Sequence, residues 1–99
     1  NFFGIGSGTI TLYNSAKSSS KTLADLTAPA VSSAVGVSNR GSEARDDLAV
    51  LKPTVSRMTA VLVEVGRLSA PDEDIIHNPA SIGHAASGID SGINAFLNQ

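Results

Sequence analysis

The sequence predicts an all-α fold, a small bundle of three to five helices with an extended N-terminal arm. Leu48, Leu51, Val55, Met58, Leu62 and Val65 recur at spacings of three and four, which places them on one stripe of a central helix. Ile82, Ala86, Ile89, Ile93 and Phe96 repeat the pattern near the end of the chain. The opening differs in kind. Gly4, Gly6 and Gly8 fall at period two, and Thr9 to Tyr13 are strand-favouring residues, so that stretch reads as extended chain.

Composition supports a packed core. Of 99 residues, 41% are hydrophobic and 16% charged, too apolar and too weakly charged for a disordered chain. The length allows one core, divided here into an extended arm over residues 1–14 and a single helical-bundle domain over 15–99.

After the arm, residues 15–21 form a Ser/Lys-rich loop that grades into a helix start. Leu23, Leu26, Ala30, Ala34 and Val37 continue at helical spacings, with Pro29 either kinking one helix or opening a second near Thr27. Residues 38–41, Ser-Asn-Arg-Gly, read as a turn, and Ser42 is the N-cap candidate of the central helix. That helix is predicted from about Glu43 to about Leu68, with Pro53 on the side opposite the seam. Ser69, followed three residues later by Asp72, matches a capping pattern for a short helix. Asn78-Pro79 opens the last one. Gly83, Gly88 and Gly92 each cost that helix roughly 1 kcal/mol relative to alanine, so it depends on close packing.

Several function classes are set aside. There is no cysteine, which excludes disulfides, thiolate metal sites and thiol nucleophiles. The apolar run from Ala60 to Val63 is far shorter than a membrane span, so no transmembrane segment is expected. Net charge is −2 and the basic residues are scattered among acids, which argues against nucleic acid as a partner. Asp74, His77 and His84 carry metal-ligand chemistry at a spacing that fits known sites poorly, and read as surface residues. Ser81, His84 and Asp90 lack a nucleophile elbow. The early glycines match neither phosphate-binding pattern.

These readings leave no enzyme, no cofactor and no metal site. The expected function is that of a non-enzymatic secreted or cell-surface protein that self-associates or docks a protein partner. The candidate interaction residues are Phe2, Phe3, Ile5, Ile10, Leu12 and Tyr13 of the arm, and the small-residue face Ala85, Gly88 and Gly92 of the last helix. The alternative is a carrier holding a lipid or another apolar small molecule between helices. Secretion follows from the Ser, Thr, Asn and Gly content and from a start at Asn1, which reads as a removed leader or a cut made there.

Overall fold

The computed structural model describes residues 7–99. The central element is a strand, β1 (Thr9–Tyr13), in which every residue is buried. Thr, Ile and Leu alternate along it, so a β-branched or aliphatic side chain fills each face, as a strand covered on both sides requires.

From β1 the chain enters α1 (Ser18–Val35) and returns in β2 (Asn39–Ala44), which pairs with β1 in parallel. A parallel partner cannot be reached by a tight turn, and α1 supplies the crossover. Pro29 lies within α1 on its exposed side, while Leu23, Ala24, Thr27, Ala28, Val31 and Val35 are buried. On the other flank, β3 (Leu62–Glu64) runs antiparallel to β1, giving the order β2-β1-β3.

Register fixes which side chains share a face. Thr11 stands opposite Ser42 and Val63, whereas Ile10 stands opposite Gly41 and Glu64, and Leu12 opposite Glu43 and Leu62. The Ser42 hydroxyl bonds the Asp25 carboxylate of α1, so the Thr11 face lies beneath α1. Ile10, Leu12, Glu43 and Glu64 therefore belong to the opposite face.

This architecture corrects the all-α bundle with an extended arm. Residues 9–13 are the middle of a three-stranded sheet whose partners lie far along the chain. The central helix is also absent from residues 43–68. β2 ends at Ala44, an irregular segment follows with one 3₁₀ turn at Lys52–Thr54, and β3 closes it. Pro53 lacks the N–H a helix interior needs, and Val61, Val63 and Val65 alternate with Leu62 and Glu64 at the period of a strand. Of the six seam residues Leu51 alone is fully buried, while Met58 is 55% exposed. Backbone and side-chain bonds tie the segment to the end of β1 and the start of α1. The Arg45 N–H donates to the Tyr13 carbonyl (2.8 Å), the Ser15 N–H to Asp46 (2.7 Å), and the Ala60 N–H to the Ser20 hydroxyl (3.0 Å).

Two helices complete the described chain, α2 (Asp72–Ile76) and α3 (Ala80–Leu97). α3 packs on α1 through its smallest residues. A Cβ placed on Gly88 would lie 2.6 Å from the Val31 Cα, and one on Gly92 would lie 2.6 Å from the Thr27 hydroxyl oxygen. As numbering rises in α3 it falls in α1, so the two helices are antiparallel. The stripe predicted to be the buried face of α3 is displaced from this contact, and Ile82 and Ile93 are exposed.

Candidate active-site strand

The end of β3 is fastened from two directions. Glu64 is its last residue, and Val65, Gly66 and Arg67 then leave the sheet. The Thr9 hydroxyl donates to the Val65 carbonyl at 2.6 Å. Asp72, at the first turn of α2 and 1% exposed, turns its carboxylate inward, where one oxygen accepts the Gly8 N–H (2.5 Å) and the Arg67 N–H (2.9 Å). Gly66 runs directly over that carboxylate, and a Cβ there would stand 3.3 Å from the Asp72 Cβ. Gly8 has φ +104° and its Cβ would collide with the Ser38 carbonyl, so no side chain fits where the strand begins. One buried carboxylate thus joins the start of β1, the exit from β3 and the start of α2.

Glu64 itself is exposed, on the sheet face turned away from α1, opposite buried Ile10. Glu43 shares that face from β2. Arg45, just past β2, donates two hydrogen bonds to Asp47, each 2.9 Å. That pairing raises the guanidinium pKa, with smaller contributions from the charges of Asp47, Glu43 and Glu64. An exposed carboxylate at a strand end, with the backbone behind it held by part-buried hydrogen bonds to Thr9 and Asp72, is suited to proton transfer or to binding an electrophile.

The residues singled out from sequence fall elsewhere. Ile10, Leu12 and Tyr13 are buried within β1. Phe2, Phe3 and Ile5 lie outside the described residues. Gly88 and Gly92 are buried against α1, and Ala85 beside them is half-buried. Asp74 and His77 line a surface depression with Glu73, and Asp74 and His84 line a second one with Val35, Asn78 and Ser81. Among the described residues no group of three or more His, Cys, Asp or Glu side chains is arranged to hold a metal ion.

Comparison with known proteins decides the family. Residues 3–95 match the family described as N-acetylmuramoyl-L-alanine amidase, Amidase_3. The chain belongs to the N-acetylmuramoyl-L-alanine amidase family. Solved amidase structures share its fold. The CwlD amidase from Clostridioides difficile, in complex with the GerS lipoprotein, superposes with a TM-score of 0.80 at 29% identity, over 93% of this chain and 47% of that one. An N-acetylmuramoyl-L-alanine amidase from Clostridium difficile 630 gives 0.78 at 32%, over 94% and 50%. The catalytic domain of CwlV, an amidase from Bacillus (Paenibacillus) polymyxa var. colistinus, gives 0.77 at 30%, over 99% and 52%. This chain therefore spans about half the length of the amidase structures it matches. No curated protein matches it.

Amidase membership corrects the functional expectation. The family and its solved members are enzymes, so a non-enzymatic assembly protein, a self-assembling helical bundle and a lipid carrier are all set aside. No motif in the sequence marks the two acids at the β3 end, Glu64 and Asp72. Glu64 is one of several charges scattered along the chain, and its place after the short apolar run Val61-Leu62-Val63 is consistent with a strand end without marking a site. Asp72 read as a helix-capping acid, and no local pattern separates an outward cap from one folded under the preceding loop.

Proposed function

We propose that this chain forms part of a cell-wall amidase that hydrolyses the amide bond between N-acetylmuramoyl and L-alanine in peptidoglycan, with Glu64 as the carboxylate that moves the proton. The observation that carries this reading is the fastening of the β3 end: Glu64 is exposed while Thr9 and Asp72 hold the residues behind it. Amide hydrolysis needs a base to take a proton from attacking water and an acid to return one to the departing amine, and a fixed carboxylate serves in both steps. Stabilising the oxyanion that forms on the carbonyl calls for a further group. We assign that group to the half of an amidase domain that this chain does not span.

The substrate places the activity outside the cytoplasm, in line with a secreted or surface location. No helix among the described residues is long and apolar enough to cross a membrane. A protein partner belongs to the same reading, since the CwlD amidase was solved with the GerS lipoprotein.

The test is a hybrid in which residues 3–95 replace the segment they match in the Clostridium difficile 630 amidase. Incubated with purified peptidoglycan, the hybrid is expected to release peptides bearing a free L-alanine amine, identified by mass spectrometry. A folded hybrid that releases none, or that cuts the glycan strand or the peptide instead, contradicts the reading.

A further inference from the structure

Arg67 follows Glu64 by three residues, and its backbone and side chain are treated differently. The Arg67 N–H is held at 2.9 Å by the Asp72 carboxylate, which is buried and also takes the Gly8 N–H. The guanidinium is exposed, and no hydrogen bond or ion pair engages it within the described residues. Asp72 thus fixes where the side chain begins and leaves its charge to solvent. Arg45 stands as the contrast. It also feels the charge of Glu64, but its Nε and one of its terminal nitrogens are bonded to Asp47.

The group that Arg67 meets follows from the substrate. The amide between N-acetylmuramoyl and L-alanine has the peptide on its nitrogen side, and that peptide carries carboxylates beyond the alanine. Three residues at full extension put the Arg67 Cα no more than about 11 Å from that of Glu64, and the residue after the alanine begins about 7 Å from the scissile nitrogen. Glu64 at the amide therefore leaves Arg67 within reach of the next residue. A guanidinium suits a carboxylate there, because its parallel N–H donors match the two oxygens and it is more weakly hydrated than an ammonium.

We infer that Arg67 is a specificity-determining residue that binds a carboxylate on the peptide residue following L-alanine. An amide in that place has no charge to pair with the guanidinium and turns a donor toward a donor, so acidic peptides bind more tightly than amidated ones. Substitution of the side chain keeps the backbone N–H, and Asp72 remains bonded as before.

This inference rests on the amidase reading of Glu64. Its test measures binding by the Glu64→Gln form of the hybrid in which residues 3–95 replace the matched segment of the Clostridium difficile 630 amidase, so that the probes are not cut. The probes are N-acetylmuramoyl-L-alanyl-D-glutamate and its diamide, titrated by calorimetry into hybrids whose melts coincide. The acid is expected to bind about five- to tenfold more tightly than the diamide, with the difference abolished by Arg67→Gln and kept in part by Arg67→Lys. Arg45→Gln is expected to leave it in place. Equal binding of the two probes, a preference that survives Arg67→Gln, or one that Arg45→Gln removes overturns the inference while the amidase reading stands. Cutting of a probe by the Glu64→Gln form contradicts the role of Glu64, and a folded hybrid that binds neither probe overturns both.

Discussion

Asp72 and Gly8 stand 64 residues apart in the chain, and a 2.5 Å hydrogen bond from the Gly8 N–H to the Asp72 carboxylate joins them. The same oxygen takes the Arg67 N–H, so one side chain sets the spacing between the start of β1 and the exit from β3. Asp72→Ala leaves both donors without this acceptor, and the Gly8 N–H is buried. Leaving such groups unpaired costs about 1–3 kcal/mol each, which gives an expected loss of about 2–5 kcal/mol in urea denaturation. Asp72→Asn keeps the shape and one acceptor oxygen and is expected to lose less. Equal stability of Asp72→Ala and the parent chain contradicts the clamp.

Gly88 and Gly83 lie five residues apart on α3 and predict opposite outcomes. Gly88→Ala drives a methyl into the Val31 backbone, and separating the helices to admit it is expected to cost about 1–3 kcal/mol. Gly83 has open space where its Cβ would go, so Gly83→Ala gains helix propensity and is expected to stabilise by about 0.5–1 kcal/mol. Thermal melts of the two variants check the pair together. The prediction fails if both move in the same direction.

Acid lowers stability through three surface aspartates. Asp47 is held down to about 2, from an ordinary 3.8, chiefly by its hydrogen bonds from Arg45. Asp25 is lowered by hydrogen bonds from Lys21 and then Ser42, and Asp46 by those from Ser15. A carboxyl whose folded pKa lies below its unfolded one stabilises the fold above the unfolded value and loses that contribution as pH falls through the folded one. The midpoint of thermal unfolding is therefore expected to fall as pH drops from 3.8 toward about 2. Asp47→Asn flattens that dependence, and added salt weakens it because these groups are exposed.

α1, α3 and the extended character of residues 9–13 were legible in the sequence, whereas the helix expected over residues 43–68 did not form and the pairing of the sheet was not legible. The spacings through Leu23 and Ala30 mark α1, and Asn78-Pro79 marks the start of α3, because helix signals are carried by residues close together in the chain. β1 depends on Asn39–Ala44 and Leu62–Glu64, which no local pattern connects to it. Residues 48–65 fit a helical spacing by arithmetic, yet Pro53 and the valines at 61, 63 and 65 favour the structure that formed. On α3 the isoleucine spacing identified an apolar face, but the close contact went to Gly88 and Gly92, since only their side lets the two helix backbones approach. Glu64 gained meaning once the register put it across from Ile10 and the bonds of Thr9 and Asp72 lay behind it.

The most direct test of the account removes the charge of Glu64 and leaves its shape. In the hybrid amidase, Glu64→Gln is expected to lower kcat for release of L-alanyl peptides by about 10²- to 10⁴-fold, the range for loss of a general acid–base group. Its melt is expected to match that of the unsubstituted hybrid, because the side chain is exposed and its neighbours are fastened through other atoms. A Glu64→Gln hybrid that folds and turns over at the unsubstituted rate contradicts the assignment.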